Sequence, residues 1–171
     1  MKFLVVSDSH GRYERIAELI DMHKNIDALI FLGDGLADLE RADAYSKGFA
    51  VFAVKGNCDV FSFFGRGESD EETVLNFEGY RFFMLHGHTR GVKHGLTNAV
   101  YAAREREADI LLFGHTHEPM EKYIPDGGEY SLGKPLRIFN PGSLGASGDG
   151  WGHFGIIEIR GKDILMSHGR V

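Results

Sequence analysis

The chain has 171 residues, room for one domain with a single substantial core and too few for two ordinary ones. Its 43% apolar and 26% charged residues exclude a disordered chain, and a formal net charge of -6 excludes general attraction to nucleic acid or to an anionic membrane surface. A single cysteine, Cys58, excludes an intrachain disulfide, and no apolar run has the length of a signal-peptide core or a bilayer span, so the expectation is one cytoplasmic domain over residues 1–171.

The first apolar run, Phe3-Leu4-Val5-Val6, reads as a buried strand and stops at Ser7-Asp8-Ser9-His10. Tyr13, Ile16, Ala17 and Ile20 then recur at helical spacing. Ala28 to Leu32 is a second strand, ending in Gly33-Asp34-Gly35, and Asp38 reads as the N-cap of the next helix. A third strand, Ala50 to Val54, ends in Gly56-Asn57-Cys58-Asp59. Phe61, Phe63 and Phe64 follow; core packing is the expectation for them, with a substrate wall or a dimer contact as the alternative. Residues 65–72 read as a solvated loop. Arg81 to Leu85 runs into His86-Gly87-His88, Leu96, Val100 and Ala103 mark another helix, and Ile110 to Phe113 runs into Gly114-His115-Thr116-His117. From Met120 onward the texture changes. Glu121 to Ile124, Leu136 to Phe139, Phe154 to Ile159 and Ile164 to Ser167 are short strand-like pieces between glycine-rich turns, which predict an antiparallel meander. The class is α/β, with βαβ units first and a β-rich second half.

Five strand runs thus end in residues of metal-ligand type: Asp8 and His10, Asp34, Asn57 and Asp59, His86 and His88, His115 and His117. In open α/β sheets ligands bind in the crevice beyond the carboxyl ends of the strands. Asp8/His10 and His115/His117 are two apart, so in an extended segment each pair points the same way. Glycines before Asp34, Asn57 and His115 let the chain turn tightly there. Each motif alone is an ordinary turn sequence; five in order at successive strand ends are not. His23, His94, His153 and His168 lie outside the pattern and read as surface or hydrogen-bonded histidines.

These motifs, followed by Asn140-Pro141-Gly142-Ser143, resemble the calcineurin-like metallophosphoesterases, specifically their small single-domain bacterial and archaeal phosphodiesterase branch. The resemblance implies a four-layer α-β-β-α sandwich with two metals at one end of the sheets. It implies Asp8, His10, Asp34 and His117 around the first ion and Asn57, His86 and His115 around the second, with Asp34 bridging. The implied reaction is hydrolysis of a phosphodiester by a metal-bridging hydroxide, with Asp34, Asn57, Cys58, Asp59 and His88 as the catalytic candidates. A scaffold with weak or absent catalysis, like the small retromer subunit of this fold, is the alternative.

The donor types fit that chemistry in their own right. Imidazole and oxygen ligands without thiolate suit Mn²⁺, Fe²⁺, Co²⁺, Ni²⁺ or Zn²⁺ and argue against Ca²⁺; Mn²⁺ is the ion expected. Two divalent cations carry +4 against -2 from Asp8 and Asp34, leaving about +2 to attract a phosphate group in an otherwise acidic chain. The expected partner is a small phosphoester, without stable nucleic-acid or membrane binding, and a homo-oligomer is left open. Cys58 stands where the wider superfamily usually has histidine. A thiol with an ordinary pKa of ~8.5 is a poorer acid for an alkoxide and carries no positive charge, so the expected consequence is weaker activity on poor leaving groups. Asp59 reads either as a residue orienting a neighbouring ligand or as an Asx-turn residue, and His88 either as facing substrate or as a structural hydrogen bond.

Overall fold

The computed structural model describes residues 1–59, 70–127, 133–145 and 147–171; Phe61, Phe63 and Phe64, and most of the loop expected at 65–72, lie outside them. In chain order the elements are β1 (Lys2–Val6), α1 (Tyr13–Met22), β2 (Ala28–Phe31), α2 (Leu36–Arg41), β3 (Ala50–Ala53), β4 (Glu72–Phe77), β5 (Tyr80–Leu85), α3 (Thr97–Glu105), β6 (Ile110–Phe113), β7 (Met120–Ile124), β8 (Leu136–Asn140), β9 (His153–Arg160) and β10 (Asp163–Arg170). No helix among the described residues is long and apolar enough to cross a membrane.

The layering follows from side-chain alternation along the strands. In β1, Leu4 and Val6 pack with Ile16 and Leu19 of α1 and Leu36 and Leu39 of α2, while Phe3 and Val5 pack with Phe82, Met84, Ile110 and Leu112 of the other sheet. In that second sheet Phe83, Leu85, Leu111 and Phe113 point the opposite way, onto Ala99, Val100 and Ala103 of α3. The result is helix, sheet, sheet, helix, the four-layer sandwich expected. The sheets run β10-β9-β1-β2-β3 and β4-β5-β6-β8-β7. Phe82 is fully buried in the middle layer, so Phe82→Ala would cost ~3–5 kcal/mol in lost burial and cavity formation.

Four expectations are corrected. The second half is not a meander. The β9–β10 hairpin joins the first sheet by pairing β9 with β1, and β8 runs parallel to β6. Leu136, Ile138 and Phe139 are buried on both faces, which suits the interior of a parallel pair and gives no alternation to reveal it. Second, Glu72, expected in a solvated loop, opens β4, a strand that no apolar run marks. Its carboxylate accepts hydrogen bonds from Arg90 Nε at 2.5 Å and Nη2 at 2.8 Å and from Arg106 Nη2 at 2.9 Å. Third, β3 is a half-exposed edge strand and not a buried one. Fourth, Asp38 does not cap α2; Gly35 holds that position, and Asp38 sits inside the first turn, buried. There its Oδ2 accepts the Ser9 hydroxyl at 2.6 Å and the Gly11 N–H at 2.8 Å.

Three of the outlying histidines behave as read from the sequence: His153 Nε2 is 2.9 Å from Asp149, His168 Nε2 is 2.8 Å from the Asn140 carbonyl with its ring stacked on Phe139, and His94 is exposed; His23 is half-buried with its ring against Phe154.

Candidate metal centre

The site stands on the loops that leave β1, β2, β3, β5 and β6 at their carboxyl ends. Backbone bonds stitch these loops together: Asp8 N–H to the Gly33 carbonyl at 2.8 Å, His10 N–H to Asp34 at 3.2 Å, and Gly114 N–H to His86 at 3.0 Å. The segment after β8 closes the base, with Leu144 N–H bonded to the Ser7 carbonyl and Gly145 N–H to that of Asp8, each at 3.0 Å. Asn140 Nδ2 donates to the Gly114 carbonyl and to Thr116, and the Ser143 hydroxyl to the Asp8 carbonyl.

The backbone of the donors is not extended. Asp8, His10, Asp34, His115 and His117 have φ of 54, 45, 60, 67 and 64°, the left-handed region that non-glycine residues seldom occupy. Asp8 and His10 therefore converge through successive turns and not through the strand alternation expected, and His115 and His117 do not point the same way: His115 faces His86 and His117 faces Asp8 and His10. Such conformations cost about 1–3 kcal/mol each and concentrate at functional sites. Glycine is obligatory at one close approach: a Cβ on Gly56 would lie 2.2 Å from Asp34 Oδ1 and 2.4 Å from Asp34 N.

All seven donors meet. His117 Nε2 lies 3.1 Å from Asp8 Oδ1 and 3.3 Å from His10 Nε2. His86 Nε2 lies 3.1 Å from His115 Nδ1, 3.2 Å from Asn57 Oδ1 and 3.4 Å from Asp34 Oδ2. Asp34 connects the two groups, since its Oδ2 is also 4.0 Å from His10 Nε2. Asp8, His10 and His117 form one cluster with ion-holding spacing, and Asp34, His86 and His115 form another.

The donor set fits divalent cations. Buried Asp8 Oδ1 makes no hydrogen bond of proper geometry among the described residues and faces only imidazole nitrogens, His117 Nε2 nearest at 3.1 Å, a set of donors that a cation would satisfy together. His86 Nδ1 is 2.7 Å from the Leu32 carbonyl, which can only accept, so that nitrogen carries a proton, and Nε2, facing Asn57, His115 and Asp34, is the atom that would ligate a cation once its own proton is displaced. The Asn57 amide donates through Nδ2 to Cys58 Sγ at 3.3 Å, which turns Oδ1 toward His86.

The protein's own charges set the titration. Burial would raise the Asp34 pKa, yet hydrogen bonds from His86 and from the Cys58 N–H at 2.7 Å hold it well below the usual carboxylate range. Burial would lower His86, but its bond to Asp34 and the charges of Asp8 and Asp34 outweigh that and raise it. Burial, then the neighbouring charges of His86 and Lys93, push His115 down to about 4, so it presents a neutral, metal-ready imidazole. Burial and the charge of His86 lower His88. Cys58 is exposed as a residue, but partial desolvation of its thiol, then the adjoining Asp34 carboxylate, push it up to about 11, unlike an activated nucleophile.

Asp59 settles between its two readings. Its Oδ2 accepts the N–H groups of Asp34 at 2.8 Å and Gly56 at 2.9 Å, and its Oδ1 those of Gly35 at 2.8 Å and Leu36 at 2.9 Å. One carboxylate thus binds the Asp34 loop to the Asn57 loop, four amides at once and not a local Asx turn. His88 has its ring 5.4 Å from that of His86 and 6.1 Å from that of His115, at the rim of the cluster. Sequence reading missed the Ser9–Asp38 and Ser7–Asp8 supports, the latter a 2.5 Å bond from Ser7 Oγ to Asp8 Oδ2. Ser9 and Asp38 are separated by 29 residues, and nothing in the sequence links them.

Residues 1–162 match the sequence model of the calcineurin-like phosphoesterase superfamily domain. The chain belongs to that superfamily. Among its relatives, the probable metallophosphoesterase YsnB of Bacillus subtilis is 34% identical over 145 residues, 84% of this chain and 75% of YsnB. The phosphodiesterase YfcE of Escherichia coli is 29% identical, over 84% of this chain and 79% of YfcE. A solved structure of YfcE superposes with a TM-score of 0.65 at 26% identity, covering 92% of this chain and 88% of that one. Vacuolar protein sorting 29 from Cryptosporidium parvum gives a TM-score of 0.72 at 20% identity, covering 99% and 98%; that likeness is one of fold. As a member of the calcineurin-like superfamily, a family that uses divalent metals, the chain is a phosphoester hydrolase.

Proposed function

We propose that the chain, as one cytoplasmic domain, hydrolyses a phosphodiester of small size at a centre holding two divalent cations, Mn²⁺ first among them. Asp8, His10, Asp34 and His117 would hold one ion and Asp34, Asn57, His86 and His115 the other. The observation that carries this reading is the meeting of all seven donors around Asp34, whose carboxylate faces both His10 and His86. When bound, such a pair of cations supplies Lewis-acid activation of water and positive charge for the phosphoryl oxygens.

The protein's residues supply the rest. Asp59 fixes the relative position of the two loops that carry Asp34 and Asn57. The Leu32 carbonyl fixes the His86 tautomer. A cleft of about 290 Å³ beside His10, Asp34 and Cys58, floored by Gly35 to Asp38, offers a place for the ester group. Asp38 and Asp59 beside it are engaged with Ser9, Gly11 and backbone amides, and among the described residues no lysine or arginine lines it. It therefore suits an uncharged ester substituent, which is the diester preference. Cys58 borders the cleft as a neutral thiol, and His88 at the rim contributes polarity toward substrate.

The phosphodiesterase name of YfcE supports this reading. A non-catalytic interaction module rests on likeness of fold alone, whereas a complete donor set favours turnover. The test is a screen of chelator-treated protein against an aryl phosphodiester and an aryl phosphomonoester, with each divalent metal restored in turn. Hydrolysis abolished by chelation, restored by Mn²⁺ and faster on the diester is the expected result. No turnover with any metal would transfer the chain to the interaction-module reading.

A further inference from the structure

We infer that a second cleft, at the opposite end of the second sheet from the metal centre, is a binding site for a phosphate group. Asn76, Gly79, Arg81, Arg104, Asp109 and Lys134 line a cavity of about 460 Å³. Arg81, the second residue of β5, lies five residues before His86, so at ~3.3 Å per residue the cleft lies some ~16 Å from the metal ligands. α3 runs back along the sheet and delivers Arg104 to the same end.

Arg104 is the decisive residue. It is only 5% exposed, and its Nε and Nη2 have no hydrogen-bond partner among the described residues, while Nη1 donates to the Lys134 carbonyl. Arg81 Nε is likewise buried without a partner. The anionic groups nearby are already engaged. Asp109 Oδ2 accepts the Arg81 N–H at 2.7 Å and its Oδ1 the Lys134 ammonium at 2.8 Å. Lys134 also donates to the Glu107 carbonyl at 2.5 Å, offsetting the negative end of α3, and among the described residues the Glu107 carboxylate is the one other anion in the lining. Among the described lining residues three cations stand against two carboxylates.

A buried guanidinium with unpaired N–H groups, that of Arg104, beside a buried and unpaired Nε of the half-buried Arg81, is an unfavourable state that a matching anion reverses. Guanidinium forks fit a phosphate by paired, charge-assisted bonds. The cavity is larger than a bare phosphate needs, so the ligand is a phosphate group either free or carried on a small organic molecule.

The test is NMR titration of the ¹⁵N-labelled full chain, following the arginine Nε–Hε signals assigned with Arg81→Gln and Arg104→Lys. These signals report on this cleft and not on phosphate bound at the metal centre. Inorganic phosphate and a phosphomonoester such as glycerol phosphate form the two arms, with sodium chloride of equal ionic strength as control. The expected result is saturable shifts of the Arg81 and Arg104 signals with phosphate and none with chloride. Tighter saturation by the monoester would identify the carried form and tighter saturation by inorganic phosphate the free form. Arg81→Gln, which leaves the buried Arg104 in place, should weaken binding at Arg104 by about tenfold or more. Arginine signals that move with neither phosphate compound, or equally with chloride, would overturn the site.

Discussion

Replacing Asp59 by asparagine perturbs the site without touching a proposed metal ligand. Each carboxylate oxygen of Asp59 accepts two backbone N–H groups, Oδ1 those of Gly35 and Leu36 and Oδ2 those of Asp34 and Gly56. In Asp59→Asn one oxygen becomes an NH₂ group facing two other donors, so two bonds to a charged acceptor are lost. At ~1.5–3 kcal/mol for each such bond, the expected loss of stability is at least ~3 kcal/mol. For a chain of 171 residues, where 1 kcal/mol moves Tm by ~2–4 °C, this corresponds to a fall of ~6–12 °C. The loops carrying Asp34 and Asn57 would lose their common anchor, and metal affinity should fall ~10–100-fold, as when a partner that orients a ligand is removed. Thermal unfolding gives the first quantity and titration with Mn²⁺ in competition with a chelating dye gives the second. A variant within ~2 °C of wild type and with unchanged metal affinity would refute the anchoring role.

Asp34→Asn should lower metal stoichiometry at both positions whereas His10→Ala chiefly weakens one, and full occupancy in Asp34→Asn by elemental analysis would remove the bridging assignment. Cys58→Ala should lose at most ~10²–10⁴ in kcat on poor leaving groups and less on an activated aryl ester, while a loss near ~10⁶ with metals still bound would mark the thiol as the nucleophile. Glu72→Gln tests the β4 ion pairs through pH: the hydrogen bond from Arg90 holds the Glu72 carboxyl below its ordinary range. Its stabilisation is therefore present above the unfolded pKa of ~4.3 and lost as pH falls through the lower folded value. Urea unfolding should show wild type ahead by about 1 kcal/mol near neutral pH, modest because the groups are partly exposed, with the gap closing in acid; a gap that persists unchanged there would contradict the assignment.

The strands that build the site were legible because their physics is local. Phe3 to Val6, Ala28 to Phe31 and Ile110 to Phe113 are buried on both faces of parallel strands, and such segments read as unbroken apolar runs. The donors were legible because five of the parallel strands, β1, β2, β3, β5 and β6, end just before the residues proposed as ligands. What escaped depended on partners far along the chain. β4 is an edge strand with half its surface in water, so its apolar content is diluted by Glu72, Thr73 and Asn76. The placement of β9 beside β1 depends on pairings such as Phe3 with Ile157, which no local pattern encodes. The support of Ser9 by Asp38, and the left-handed backbone at Asp8, His10, Asp34, His115 and His117, arise from the packing of loops against one another, which overrides what each residue would adopt alone.

The most direct test of the central claim is anomalous diffraction from crystals of the protein grown with Mn²⁺, recorded on either side of the manganese edge. Two anomalous peaks ~3.5–4 Å apart, with the Asp34 carboxylate between them, His10 and His117 on one and His86 and His115 on the other, is the result expected. A single peak, or peaks away from Asp34, would contradict the dinuclear centre.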